Sequence, residues 1–337
     1  MSKWYESEDA NKSPIISSRI RLARNLSAYP FSAKITDAKA HEMISEVRRA
    51  APGFDFCDPA KEDRATRLSM VEKHDISPEI FSLGAERPIA LLRDETAGSG
   101  IMLGEEDHIR IQVITAGDDL ESAYTKAAQI DDLLEESLTY AYHKDFGYLT
   151  SCPTNTGTGL RASYMVHIPM LESSGNLPKI VSGLAKLGMT VRGIYGEHSK
   201  PFGSIYQVSN QVTLGKSENE IISALKNTCV QLVENELSLL KRAFTNNPDH
   251  MEDKIFRALG ALTHARIHSL GEAMENLSAI RVGIISGVLR GDNFKVPVYS
   301  IMMNIEPGNM QSRAGGHLSE NEMLIARAKY LREIFSF

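Results

Sequence analysis

The stretch Ser151–Ser163, SCPTNTGTGLRAS, decides how the chain is read. Its glycines and small polar residues suit a loop that lets phosphate approach the backbone. A Walker P-loop would carry a lysine before its serine or threonine. This loop carries none and ends on Arg161. A Gly-Lys-Ser triplet does occur at Gly215-Lys216-Ser217, but position 210, where the motif needs its first glycine, is asparagine. Ser217 and Glu220 instead form an S-x-x-E capping box opening a long amphipathic helix from Ile221 through Leu240. The fold is therefore not read as that of a P-loop kinase.

Outward from this loop, short strand-like and helical patterns alternate. PIISSRIRLARN (14–25) alternates in apolar residues and then places arginines at every second or third position, so a strand there points Arg19 and Arg21 to one face. GIMLGEEDHIRIQVI (100–114) reads as two strands around an acidic turn, with Arg110 on the polar face of the second. Residues 120–142 read as a helix, 164–171 as a strand, 177–188 as a helix stopped by Gly188, and 190–196 and 204–215 as strands. TNNPDHMED (245–253), with Pro248, is the linker candidate. Beyond it the pattern is mainly helical, with a second S-x-x-E box at Ser269 and Glu272 and a terminal helix after GGHLSENE. The expectation is an α+β unit over 14–245 and a smaller helical unit over 254–337.

The bulk properties narrow the function classes. A chain of 337 residues has room for about two domains. Its 42% hydrophobic and 24% charged residues are those of a soluble globular protein. A formal net charge of −6 argues against a general nucleic-acid or membrane-surface binder. No apolar run approaches the ~20 residues that span a bilayer, and the polar N-terminus has no signal-peptide core. Cys57, Cys152 and Cys229 are widely spaced with no CxxC pairing, which points to a reducing cytoplasm and no cysteine-rich zinc site.

Three polar constellations could carry chemistry: Arg19 with Arg21; Glu105-Glu106-Asp107-His108 with Arg110; and Cys152 and Arg161 with Arg192 and Glu197. Singly, each has an ordinary structural reading. Together, five arginines flank strands or glycine turns, where a rigid framework could make them converge. Arginine's planar fork pairs bidentately with phosphate, and phosphoryl transfer is catalysed mainly by positioning and electrostatic stabilisation. Glu106 and Glu197 would repel phosphate, so they serve the acceptor. A carboxylate pair that aligns a planar cation and helps remove its proton fits a guanidinium, whose pKa of ~12.5–13.8 makes it a poor nucleophile unaided.

SSRIRLARN, GEEDHIRIQ, CPTNTGTGLRAS, VRGIYGEHS and YQVSNQVTLG, in this order, resemble the motif set of the phosphagen (guanidino) kinases over residues 14–240. Within them the chain is most similar to the bacterial protein-arginine kinases (McsB type). The metabolic members carry a helical domain ahead of the arginine pair, which here sits at Arg19, and this chain has instead a C-terminal helical extension. The resemblance implies an α+β fold with an antiparallel, glutamine-synthetase-like sheet flanked by helices, and ATP with Mg²⁺ carried by the nucleotide as cofactors. It implies ATP and phosphate contacts at Ser17, Ser18, Arg19, Ile20, Arg21, His74, Arg110, Arg161, Ala162, Ser163, Tyr164, Met165, Arg192, Gly193, Ile194, Tyr195 and Gly196. It assigns Glu106 and Glu197 to binding and activating the guanidinium, with Cys152 beside the reacting nitrogen; no residue is assigned to a metal.

The implied activity is phosphorylation of arginine side chains in proteins, marking them for stress regulation or Clp-type degradation. The implied partners are proteins with exposed arginines, an activator adaptor, a heat-shock repressor, a Clp-type protease and a second copy of the chain. Two alternatives stay open: a kinase for free arginine or another small guanidine, and a non-catalytic phosphoarginine-binding scaffold. One departure stands out. The R-D-x-x-R-A run that these kinases use to sense phosphoarginine reads Met323-Leu324-Ile325-Ala326-Arg327-Ala328 here, losing the leading Arg-Asp pair.

Overall fold

Strand β1 (Ile15–Arg24) forms the middle of the structure, and its alternation organises everything around it. In the computed structural model, which describes residues 3–83, 87–94, 98–193, 202–291 and 296–336, β1 is joined by β2 (Asp55–Cys57), β3 (Ala90–Asp94), β4 (Ser99–Leu103), β5 (Ile109–Ala116), β8 (Leu160–His167), β9 (Met189–Arg192) and β10 (Ile205–Asn210) in one sheet. Its order is β2-β3-β4-β5-β1-β8-β10-β9, and neighbours run antiparallel throughout. A small hairpin, β6 (Tyr142–His143) and β7 (Gly147–Tyr148), stands apart.

Side chains alternate across a strand, so β1 serves two faces. Ile20 and Leu22 enter the main core with Ile109, Ile111 and Val113 of β5 and Leu160, Ala162 and Val166 of β8. Helices α2 (Asp37–Ala50), α5 (Leu120–Glu135) and α8 (Glu218–Asn246) close that face through Met43, Val47, Ala123, Ala127, Ile221 and Leu225. Each aliphatic side chain buried this way stabilises by roughly 1.5–3 kcal/mol. A register shift between Ile15 and Ser17 sends Ile15 to this core and Ile16 to a second cluster.

The second cluster joins Ile16, Met165 and Ile205 on the opposite sheet face to the C-terminal helices. These are α9 (Pro248–His264), α10 (Leu270–Ile285), α11 (Val298–Asn304), α12 (Pro307–Ala314) and α13 (Glu320–Phe335). The N-terminal turn and α1 (Asp9–Lys12) contribute Tyr5 and Ala10. Helices α3 (Arg64–Glu72) and α4 (Pro78–Leu83) cover β3 and β4 on the same side through Met70, Val71, Ile76 and Ile80. The rest of this face lines a cavity. No helix among the described residues is long and apolar enough to cross a membrane.

Several elements differ from the sequence expectation. The helix expected over 120–142 ends at Glu135, and Tyr142 starts the small hairpin. The strand expected over 164–171 stops at His167, because Pro169 lacks an N–H for the ladder and begins the short helix α6 (Pro169–Ser173). The helix expected over 177–188 is α7 (Leu177–Lys186), and Gly188 takes φ +74° behind it. The stretch 245–253 holds a tight corner between two helices: α8 reaches Asn246, α9 starts at Pro248, and Asn247 alone breaks the path. Proline fits there because the first turn of a helix has no partner for its N–H. The Ser217–Glu220 box is formed in full, with Ser217 N donating to Glu220 Oε2 at 2.7 Å.

Candidate active site

From Ser17 to Arg21 the odd positions of β1 project from the face away from the main core, and cross-strand register gathers their neighbours. Arg21 pairs with Gln112 on β5 and Arg161 on β8, and Arg19 with Ser163. Arg192 pairs with Gln207. Arg110 lies two residues along β5 from Gln112, on the same side. These five arginines line one cavity of about 500 Å³, joined by His74 from the turn after α3 and by Glu106 and Cys152.

The crowding of like charge is visible in the electrostatics. Burial, then Arg161 and Arg110, pull Arg19 down to about 10. Burial, then Arg19, Arg110 and Arg161, pull Arg21 well below its ordinary value. Arg19 Nη2 donates to Gln207 Oε1 at 2.8 Å, while Arg21 Nε is buried without a hydrogen-bond partner among the described residues. Such a cluster is stabilised by a polyanion that supplies the missing acceptors. Arg24, on the other face, is committed elsewhere: it pairs with Asp131 at 2.6 Å and stacks on Tyr148 with its guanidinium carbon 3.5 Å from the ring centre.

The acidic turn separates two glutamates that are adjacent in sequence. Glu105 is fully buried. Its Oε1 accepts from Ser77 Oγ at 2.5 Å and from Arg110 Nη1 at 2.6 Å, and Arg87 donates to its carbonyl. Glu106 lies in the cavity lining with its side chain 45% exposed and 4.0 Å from Arg110 Nη2. Burial and Asp107 raise its carboxyl above the ordinary value, against Arg110 and a hydrogen bond from Cys152. Asp107 is a tie: its Oδ1 accepts from Asn25 Nδ2 and Ser151 N, both at 2.7 Å, fixing the acidic turn to the loop that carries Cys152. His108 accepts from Leu26 N through Nδ1 at 3.0 Å, so its proton sits on Nε2 facing Pro30 O at 2.8 Å. It is a structural residue.

The 151–163 loop earns its glycines by close approach. Gly159 has φ +63°, and a Cβ there would lie 2.5 Å from Ala23 O. Gly157 has φ +117° and faces the backbone of Thr213 and Leu214. The Cys152 thiol lies 3.0 Å from Thr154 Oγ1.

Of the other expected contacts, Ser17, Ser163 and Met165 share the arginine face; Met165 joins the C-terminal cluster. Four turn their side chains to the opposite face. Ile20 and Ala162 are fully buried in the main core. Ser18 Oγ donates to Gly117 O at 2.7 Å. Tyr164 OH donates to Asp118 Oδ1 at 2.5 Å. A contiguous motif on a strand cannot offer every side chain to one ligand. Gly193 is buried just past β9, and Ile194, Tyr195, Gly196 and Glu197 lie outside the described residues. Sequence reasoning gave no site role to Glu105, Gln112 and Gln207; the last two continue the period-two pattern of Arg110 and of 204–215.

The C-terminal departure is also accommodated. Met323 packs against the second cluster, and the retained Arg327 is buried, donating Nε to Ile305 O and Nη1 to His268 O, each at 3.0 Å.

Residues 37–239 match the family model of the ATP:guanido phosphotransferase C-terminal catalytic domain, and residues 248–337 that of the protein-arginine kinase McsB C-terminal domain. The chain belongs to the protein-arginine kinases. A protein-arginine kinase of Clostridium novyi is 38% identical, covering 99% of this chain and 98% of its own length. Another, of Caldanaerobacter subterraneus subsp. tengcongensis, is 40% identical over 95% of this chain and 96% of its own. The duplicated taurocyamine kinase of Schistosoma mansoni superposes with TM-score 0.61 at 22% identity over 79% of this chain, which spans 40% of that duplicated chain. A lombricine kinase gives 0.59 at 22% identity, covering 71% of this chain and 72% of its own. These structures share the antiparallel sheet with flanking helices. Membership makes the chain a phosphotransferase.

Proposed function

We propose that the protein transfers the γ-phosphoryl group of ATP to arginine side chains of other proteins. The observation that supports this most directly is the set of five arginines on one sheet face, in a cavity that Glu106 and Cys152 also line. The donor set suits the phosphates of ATP: guanidiniums for the negative oxygens, and an Arg21 Nε without an acceptor among the described residues. Mg²⁺ carried by the nucleotide would supply further charge neutralisation. Arg19, Arg21, Arg161 and Arg192 hold the phosphates in line, and Arg110 is oriented by Glu105. Glu106 aligns the acceptor guanidinium and receives its proton, and Cys152 packs beside the attacking nitrogen. Glu197 is proposed as the second carboxylate. Prepositioned cations of this kind supply ~10³–10⁵ in rate.

The same reading extends to the surroundings. The phosphorylated proteins would enter stress regulation or Clp-type degradation in the cytoplasm, with an activator adaptor and a heat-shock repressor among the partners. The C-terminal helices would form a homodimer, a role supported by the exposed Phe256, Ile267 and Ile325. The test is incubation with Mg-ATP and either an arginine-rich protein or free arginine. Label on protein that is lost in acid and kept in base is expected, and Glu106→Ala abolishes it while retaining ATP binding. Turnover of free arginine alone, or binding of phosphoarginine without turnover, overturns the reading.

A further inference from the structure

His74 reaches the cavity from a place that strand alternation does not supply. It follows α3 at φ +63°, the left-handed position beyond a helix end that glycine or asparagine ordinarily takes. A β-carbon at this position is strained, so the surrounding structure must hold it. His74 N donates to Val71 O at 2.9 Å, and its carbonyl accepts from Gln112 Nε2 at 2.6 Å. Those bonds fix the backbone and leave the ring to be placed by something else.

Two residues from the ends of the chain surround that ring. The Tyr299 hydroxyl, on α11, lies 3.1 Å from His74 Nε2. The Trp4 ring sits 6.0 Å from His74 and 5.6 Å from Tyr299, centre to centre. Tyr299 is 3% exposed and His74 6%. Neither Trp4 nor Tyr299 lines the 500 Å³ cavity, whereas His74 does. Burial, with Arg19 and Arg21, drives the imidazolium down to about 3, so the ring is neutral at working pH. A hydroxyl can donate to or accept from a neutral imidazole, so Tyr299 holds either tautomer.

The same C-terminal unit also grips the helix that leads into His74. Glu72 accepts from Gly308 N at 2.6 Å and Asn309 N at 2.7 Å, at the start of α12. Ser69 Oγ donates to Asn309 Oδ1 at 2.6 Å. The turn bearing His74 is thus held by α12 from below and by α11 at the ring.

We propose that Tyr299, backed by Trp4, is the positioning residue for His74, so that nucleotide affinity at the catalytic sheet depends on the C-terminal helices. This rests on the reading of the cavity as the ATP site. It requires that removing the hydroxyl weaken ATP binding only while His74 is present.

The experiment is a double-mutant cycle on the full chain: wild type, Tyr299→Phe, His74→Ala and both together, titrated with Mg-ATP by calorimetry. Trp4, the single tryptophan, adds an emission signal beside the ring in question. Tyr299→Phe is expected to raise Kd for ATP by roughly 3–10-fold, the loss of one buried hydrogen bond, and to raise KM for ATP with kcat little changed. In the His74→Ala background it should add nothing. Equal factors in both backgrounds, or a wild-type Kd in Tyr299→Phe when His74→Ala binds more weakly, overturn this inference and leave the site reading standing. A wild type, or a cycle, in which neither ATP binding nor His74 matters overturns the site reading and this inference with it. Should Tyr299→Phe melt early, Trp4→Ala replaces it in the same cycle under the same criterion.

Discussion

Glu105 and Glu106 are neighbours in sequence with opposite expected phenotypes, and substituting each with glutamine separates them. Glu105 is fully buried and meets Arg110 Nη1 at 2.6 Å, while the Arg110 side chain is only 15% exposed. Neutralising Glu105 strands a guanidinium beside Arg21. Removing one partner of a buried pair costs about 3–5 kcal/mol, and the retained amide oxygen places Glu105→Gln near the lower bound. At ~2 °C per kcal/mol, the low end of the usual range and suited to a chain of this length, the melting temperature falls by roughly 6 °C. Glu106 is 45% exposed and 4.0 Å from Arg110 Nη2. A pair that open contributes under ~1 kcal/mol, so Glu106→Gln melts within roughly 2 °C of wild type. Its loss falls on catalysis instead, by ~10² or more if Glu106 takes the acceptor's proton. Circular-dichroism melts and acid-labile protein phosphorylation measure the two quantities. A Glu106→Gln variant that melts several degrees low, beside a Glu105→Gln variant that melts like wild type, would refute the assignment.

Three further outcomes follow from the geometry. The raised Glu106 carboxyl makes its ionisation unfavourable to folding, a stabilising contribution present at low pH and lost as pH rises through the folded value; catalysis needs the ionised form, so kcat/KM should fall on the acid side at a pH above the ordinary carboxylate midpoint, and a profile unchanged in Glu106→Gln would exclude that role. Cys152 is partly exposed, whereas Cys229 is buried and burial pushes its thiol up, as it does the Cys57 thiol; iodoacetamide should modify Cys152 first, more slowly with Mg-ATP and acceptor present, and mass spectrometry showing Cys229 labelled first contradicts this. A Cβ on Gly308 would lie 2.5 Å from Ser69 N and 2.8 Å from Leu68 C, both backbone atoms; Gly308→Ala should cost ~1–3 kcal/mol as α12 backs away from α3, and an unshifted melting curve refutes that contact.

Local patterns were readable wherever the physics is local. The period-two spacing of Arg19 and Arg21, the Ser217–Glu220 cap and the stop at Gly188 depend on residues within one turn or strand, and all three are present. Motif reading could not separate the two faces of a strand: the side chains of Ser18, Ile20, Ala162 and Tyr164 face the core because the pleat sends alternate side chains to opposite sides. It also overran element ends at Glu135 and His167, where tertiary packing or a proline decides.

By itself, then, the order of five motifs determined the family, the α+β class and the arginines that make the cavity cationic, because side-chain chemistry and strand periodicity are properties of short segments. Only the tertiary structure decided which glutamate is buried against Arg110 and which faces the cavity, since that depends on how the turn meets Ser77 and the Cys152 loop. It alone brought Gln207 to Arg19 across 188 positions and Tyr299 to His74 across 225. Contacts at such separations arise from sheet order and helix docking, and no local pattern in the chain encodes them.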